Sequence, residues 1–115
     1  NNCDAPVLVD TKSGEVHYNS SYYYIGHFSR FIKPQAQRIE LSASAYMAPA
    51  TVDGRVGNTM EFCAFKNTDG TVAVVVMNRT EADMVYELCA PNADGKDAVV
   101  LKCPPRGIQT LITSV

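Results

Sequence analysis

The hydrophobic period of this chain changes at Pro34, and that change limits the folds open to it. Upstream lies "YYYIGHFSRFIKP", residues 22–34. There Tyr24, Phe28 and Phe31 recur at i, i+4 and i+7, while Ile25, Phe28 and Ile32 recur at i, i+3 and i+7, the spacing of one wide helical face. Downstream, "RIELSASAY" from Arg38 to Tyr46 alternates. Ile39, Leu41, Ala43 and Ala45 point one way, and Arg38, Glu40, Ser42 and Ser44 the other, as in a strand with one buried and one wet face. The spacing predicts a helix over 21–32, capped by Asn19, Ser20 or Ser21. Pro34 ends it by disfavouring helical geometry at Lys33. Gly26 costs that helix about 1 kcal/mol relative to alanine, so close packing against the backbone is expected there.

The rest of the chain reads as β-structure. Residues 5–18, "APVLVDTKSGEVHY", hold two short β-prone runs around a turn in which Gly14 can take a positive φ. Beyond the alternating strand comes a loop with Gly54 and Gly57. "MEFCAFKN" and "TVAVVVMN" flank the turn "TDG". Val72 to Met77 is apolar on both faces, as a central strand should be. "MVYELC" and "DAVVLKC" flank "APNADGK", and "GIQTLIT" closes the chain after "PPR". Five or six closely spaced strands joined by turn signals imply an antiparallel sandwich or small barrel. The expected fold is therefore mainly β, preceded by a hairpin and one α-helix.

The 115 residues suit one domain, and a hydrophobic content of 46% is enough for a packed core. The net charge is −2 and the ten basic residues do not cluster, which argues against a nucleic-acid surface. No apolar run approaches the ~20 residues of a membrane span. A chain opening on "NNCDAP" shows no signal-peptide pattern, and its lack of an initiator methionine suggests a processed chain or a fragment. The four cysteines, Cys3, Cys63, Cys89 and Cys103, form no CxxC pair and only two histidines accompany them, which argues against a zinc site. Nothing calls for a cofactor. Cys63, Cys89 and Cys103 lie in strand-like runs and read first as buried thiols, with disulfides as the alternative. Sequons occur at Asn19 and Asn78.

"CDAPVLVD", the aromatic run with "GHFSRFI", and "TVAVVVMNR" closely resemble the C-terminal part of glycoside hydrolase family 30, which includes glucosylceramidases and β-1,6-glucanases. The resemblance covers nearly the whole chain, in order and spacing. It implies a (β/α)8 barrel with a β-sandwich beside it. Residues 1–35 would end the last barrel unit, with the loop hairpin at 5–18 and the helix at 21–32; residues 36–115 would form the sandwich. The partner would then be a catalytic barrel outside this chain, and a β-glucoside would be met only through that barrel. An extracytoplasmic location is the weaker implication. One departure stands out: the position after Pro34 is often glycine in the family and is Gln35 here.

Retaining glycosidases need two carboxyl groups about 5–5.5 Å apart. The resemblance places both catalytic glutamates upstream, so no catalytic residue is assigned in this chain. Glu40, Glu61, Glu87, Glu15 and Asp10 read as solvated surface groups. Asp4 alone would lie in the loop after the eighth strand, where it could shape the rim of the sugar pocket; ordering of that loop through backbone hydrogen bonds is the plainer reading. His27 has no nucleophile motif beside it and reads as a packed, hydrogen-bonded residue, and His17 as an exposed hairpin residue. The aromatic stripe reads as core packing rather than a sugar platform. Two functions compete: a non-catalytic sandwich bracing the barrel of a retaining β-glucoside hydrolase, and a free-standing carbohydrate-binding or protein-interaction module. An exposed helix patch or sheet edge could also drive self-association.

Overall fold

A computed structural model describes residues 5–41, 50–52, 55–57, 60–89 and 98–114. The chain opens with a hairpin of β1 (Val7–Val9) and β2 (Val16–Tyr18), paired antiparallel with Val9 opposite Val16. Its turn is built by Asp10, whose Oδ1 accepts the Lys12 and Ser13 amides at 2.9 and 3.4 Å, with Gly14 at φ +77° as expected. These bonds to the ionised carboxylate hold the Asp10 pKa below its ordinary value. Helix α1 then runs over Ser20–Ser29. The Arg30 and Ile32 amides still bond back to Gly26 and Phe28, so the chain keeps coiling close to the expected end.

The main sheet has four antiparallel strands in the order β10-β7-β6-β3, where β3 is Gln37–Ile39, β6 Met60–Lys66, β7 Thr71–Asn78 and β10 Ile108–Ser114. β7 is the central strand that its two-sided apolar run predicts. Val72, Val74 and Val76 are buried on one face, Ala73 and Val75 on the other. β-branched residues suit such a strand, and burying each valine contributes about 1.5–3 kcal/mol. The first face packs under a second antiparallel hairpin, β8 (Met84–Leu88) with β9 (Val99–Cys103). Met84, Tyr86, Leu88 and Cys103 meet Met60, Ala64, Phe62 and Leu111 there. The Phe62 and Tyr86 rings stand edge to face at 6.3 Å. This is a two-layer sandwich, the expected fold class.

Two details depart from the sequence reading. The segment read as a loop with Gly54 and Gly57 holds a small ladder, β4 (Ala50–Val52) against β5 (Arg55–Gly57), with Val52 opposite Arg55. Asp53-Gly54 between them is a two-residue hairpin signal. Cys63 and Cys103 lie in β6 and β9 as free thiols, the first half-buried and the second fully buried, and desolvation raises both pKa values. Cys89 falls just past the end of β8 and is exposed, not buried. Cys3 lies outside the described residues, as do Ala43 and Ala45 of the alternating run. Where that run is described, Ile39 and Leu41 do pack on the core while Arg38 and Glu40 face solvent.

Two turns place non-glycine residues at positive φ. The Ala36 amide bonds the Lys33 carbonyl at 3.1 Å, with Pro34 and Gln35 (φ +69°) between them; the Gly107 amide bonds the Pro104 carbonyl at 3.0 Å, with Pro105 and Arg106 (φ +57°) between them. Proline followed by a left-handed residue defines a type II turn, which favours glycine at the second position. Gln35 therefore bears the conformation that a glycine would adopt freely.

Candidate functional site

Helix α1 joins the first hairpin to the main sheet. Its inner side lies on the main-sheet face that carries Thr110, next to Val75 in register. Three anchors hold it there. The Tyr24 hydroxyl donates to the Arg106 carbonyl. The Thr110 hydroxyl donates to the His27 carbonyl at 3.1 Å, which uses its single hydrogen. The 2.8 Å contact from His27 Nδ1 to Thr110 Oγ1 must then be a bond donated by the ring, which assigns the proton to Nδ1. At the exit of the helix, Asn67 donates to the Phe31 carbonyl at 3.0 Å and accepts the Lys33 amide at 2.9 Å. It thereby satisfies groups that a helix end leaves unpaired. His27 is thus the hydrogen-bonded residue expected from the sequence.

The second buried polar centre is Asn78, at 1% exposure. Its Nδ2 shares two hydrogens among the carbonyls of Ala82, Cys103 and Pro104 at 2.8, 3.1 and 2.9 Å, and its Oδ1 accepts from the Thr80 amide and hydroxyl. Its own amide bonds the Gly107 carbonyl. One asparagine so ties β7 to the turn after β9, the same turn that receives Tyr24. Asn78 and Thr80 form the sequon noted in the sequence, but the amide nitrogen is sealed inside the fold. Asn67 gave no signal of its role in the sequence. Its function depends on carbonyls that only folding brings near.

The outer side of α1 is open. Tyr22, Ile25 and Phe28 are 43%, 52% and 39% exposed, and no residue of the helix is buried. The aromatic stripe is therefore split: Tyr24 and Phe31 turn partly inward, while Phe28 does not complete a core face. The expectation of close packing at Gly26 fails among the described residues. A Cβ built there meets nothing within 4 Å. Val7, Val9, Val16 and Tyr18 on one face of the first hairpin are exposed as well, and the Tyr18 ring lies 4.9 Å from Tyr22. The apolar surface is thus continuous from hairpin to helix, and larger than scattered surface hydrophobes would make.

Among the described residues the carboxylates converge on no common site. Glu15 sits beside His17 at 3.4 Å, Glu61 beside Arg79 at 3.3 Å, and Glu81 beside Arg106 at 2.6 Å, all exposed; Glu40 and Glu87 are exposed too. Asp4 lies outside the described residues. Among those residues no three His, Cys, Asp or Glu side chains come together, and no helix is long and apolar enough to cross a membrane.

The class of domain these features define is a two-layer antiparallel β-sandwich carrying one flanking helix with an uncovered apolar side. Residues 35–111 match the glycosyl hydrolase family 30 beta sandwich domain, and the chain belongs to that family. It is 30% identical over 89 residues to the lysosomal acid glucosylceramidase of Mus musculus, covering 77% of this chain and 15% of that protein. It is 31% identical over 113 residues to a putative glucosylceramidase 1 of Caenorhabditis elegans, covering 94% and 19%. Among solved structures it resembles SrfJ from Salmonella typhimurium, with a TM-score of 0.77 and 31% identity over 98% of this chain and 22% of that one. It also resembles the endo-β1,6-glucanase BT3312, with a TM-score of 0.69 and 25% identity over 95% and 21%. The chain spans about a fifth of the length of these proteins or less.

Proposed function

We propose that this chain is the C-terminal, non-catalytic portion of a retaining β-glucoside hydrolase of the glucosylceramidase or β-1,6-glucanase type. In this reading residues 1–35 end the last unit of a catalytic barrel, α1 is its last helix, and residues 36–115 are the sandwich that braces it. The observation that carries the reading is the continuous apolar surface of Val7, Val9, Val16, Tyr18, Tyr22 and Ile25, on the side of α1 opposite its anchors. A barrel helix needs an apolar side toward its neighbours, and the open space over Gly26 leaves room for one. The two catalytic carboxyls would come from the barrel, since those described here are exposed and apart. The relatives' names support the substrate class. A sugar platform on α1 is less well supported, because the Tyr22 and Tyr23 rings stand at 88° and offer no common flat face.

The test compares Ile25→Asp in the full-length protein and in the 115-residue chain. A side chain that packs in the barrel loses about 2–4 kcal/mol of stability when replaced by a buried carboxylate, whereas the same change on an open surface costs little. Destabilisation confined to the full-length protein, with aryl β-glucoside hydrolysis confined to it too, is the expected result. Equal effects in both proteins, or hydrolysis by the 115-residue chain, would overturn the reading. Glycan binding by that chain, lost on removing Tyr22 and Tyr23, would favour a carbohydrate-binding module instead.

A further inference from the structure

We infer that Asn19 is a positioning residue that fixes the path of the chain into the first hairpin and so sets where that hairpin stands. The inference rests on the functional reading above. Asn19 occupies the N-cap position of α1, with extended backbone at φ −77° and ψ 166°. An asparagine there ordinarily turns its side-chain oxygen to an amide of the first helical turn. Asn19 makes no such bond. Its Nδ2 instead donates to the Ala5 carbonyl at 2.6 Å, and its backbone amide donates to the Pro6 carbonyl at 2.9 Å. Two consecutive carbonyls, 14 and 13 residues back, are thus clamped to the start of the helix. The hairpin beside them pairs only three residues per strand and leaves Val7, Val16 and Tyr18 exposed. A two-stranded ribbon of that kind is marginal by itself, so the clamp sets where the loop stands.

If α1 is the last barrel helix, the segment before it is a βα loop, and such loops form the catalytic face of a barrel. Releasing the clamp would let the hairpin of that loop shift.

The experiment measures kcat, KM and Tm of the full-length enzyme on an aryl β-glucoside for Asn19→Ala, Asn19→Asp, Asn19→Gln and Ser21→Ala. Asn19→Asp keeps a side chain that can cap the helix but sets a carboxylate against the Ala5 carbonyl. It should leave Tm unchanged and raise KM about tenfold, more than it lowers kcat. Asn19→Ala should raise KM similarly, and Asn19→Gln, which retains the amide, should recover part of the loss. Ser21→Ala removes the sequon while keeping the clamp. The Ser21 hydroxyl is buried without a partner, so this variant should match the wild type. An active wild type with unchanged KM in Asn19→Asp and Asn19→Ala, whatever their Tm, overturns the positioning role alone. So does a Ser21→Ala enzyme that reproduces their defect, because a glycan would then be the cause. A full-length wild type that cleaves no β-glucoside overturns the functional reading and the positioning role with it.

Discussion

Replacing Gln35 by glycine should stabilise the protein. Gln35 sits at φ +69° in the turn between α1 and β3, exposed to solvent, with the Ala36 amide bonded to the Lys33 carbonyl across it. A residue with a Cβ bears about 1–2 kcal/mol in the left-handed region. Glycine is spared that cost but gives up about 0.4–1 kcal/mol through the greater freedom of its unfolded chain. The glutamine side chain is exposed, so little packing is lost. The difference leaves Gln35→Gly more stable by about 0.5–1 kcal/mol. For a domain of this size that is a rise of roughly 2–6 °C in Tm. Urea unfolding followed by circular dichroism, read as a shift in midpoint at constant slope, measures it directly. Gln35→Ala keeps the Cβ and should sit near the wild type. A Gln35→Gly protein that is no more stable than Gln35→Ala would refute the strain argument.

Asn78→Ala should cost about 3 kcal/mol or more, because it removes the amide's bonds to three carbonyls and to Thr80 and leaves the buried Cys103 carbonyl without its partner; a midpoint shift under 1 kcal/mol would contradict the hub. Gly107→Ala should lose about 1–3 kcal/mol, since a Cβ there would stand 2.9 Å from the Pro104 carbonyl oxygen; thermal melts decide it. Burial pushes the Tyr86 pKa up to about 12, and its hydroxyl bonds Gln109 at 2.8 Å. The folded state therefore holds that proton more tightly than the unfolded state does. The resulting stability is complete below about pH 10, the ordinary tyrosine value, and is lost as pH rises from there toward 12. Tm should fall over that window, and Tyr86→Phe should flatten the fall.

Much of this molecule could be read from local pattern. Alternation at Ile39 and Leu41, the two-sided run from Val72 to Val76, and the turns at Gly14 and Gly70 each depend on near neighbours and backbone chirality. They came out where the pattern put them. The β4–β5 ladder was read as a loop instead, because its strands are too short to show alternation. Helix α1 was recognisable as a helix with a broad apolar face. Which part of that face meets the sheet was not, because Tyr24 and His27 find their partners in Arg106 and Thr110, more than 80 residues away.

The same limit applies to the asparagines. Asn19 looked like a cap, Asn78 like a sequon, and Asn67 like the end of a strand-like run. Each spends its amide on carbonyls delivered by another segment. An amide has two donors and an acceptor whose use depends on what folding sets beside it, so its residue type carries no address. Sequence alone determined the order of helix and strands and the faces on which apolar residues fall, because those follow from the 3.6- and 2-residue periods of the backbone. Tertiary structure alone decided which side of α1 is anchored and which is left open, because that choice is made by hydrogen bonds between residues that are far apart in the chain.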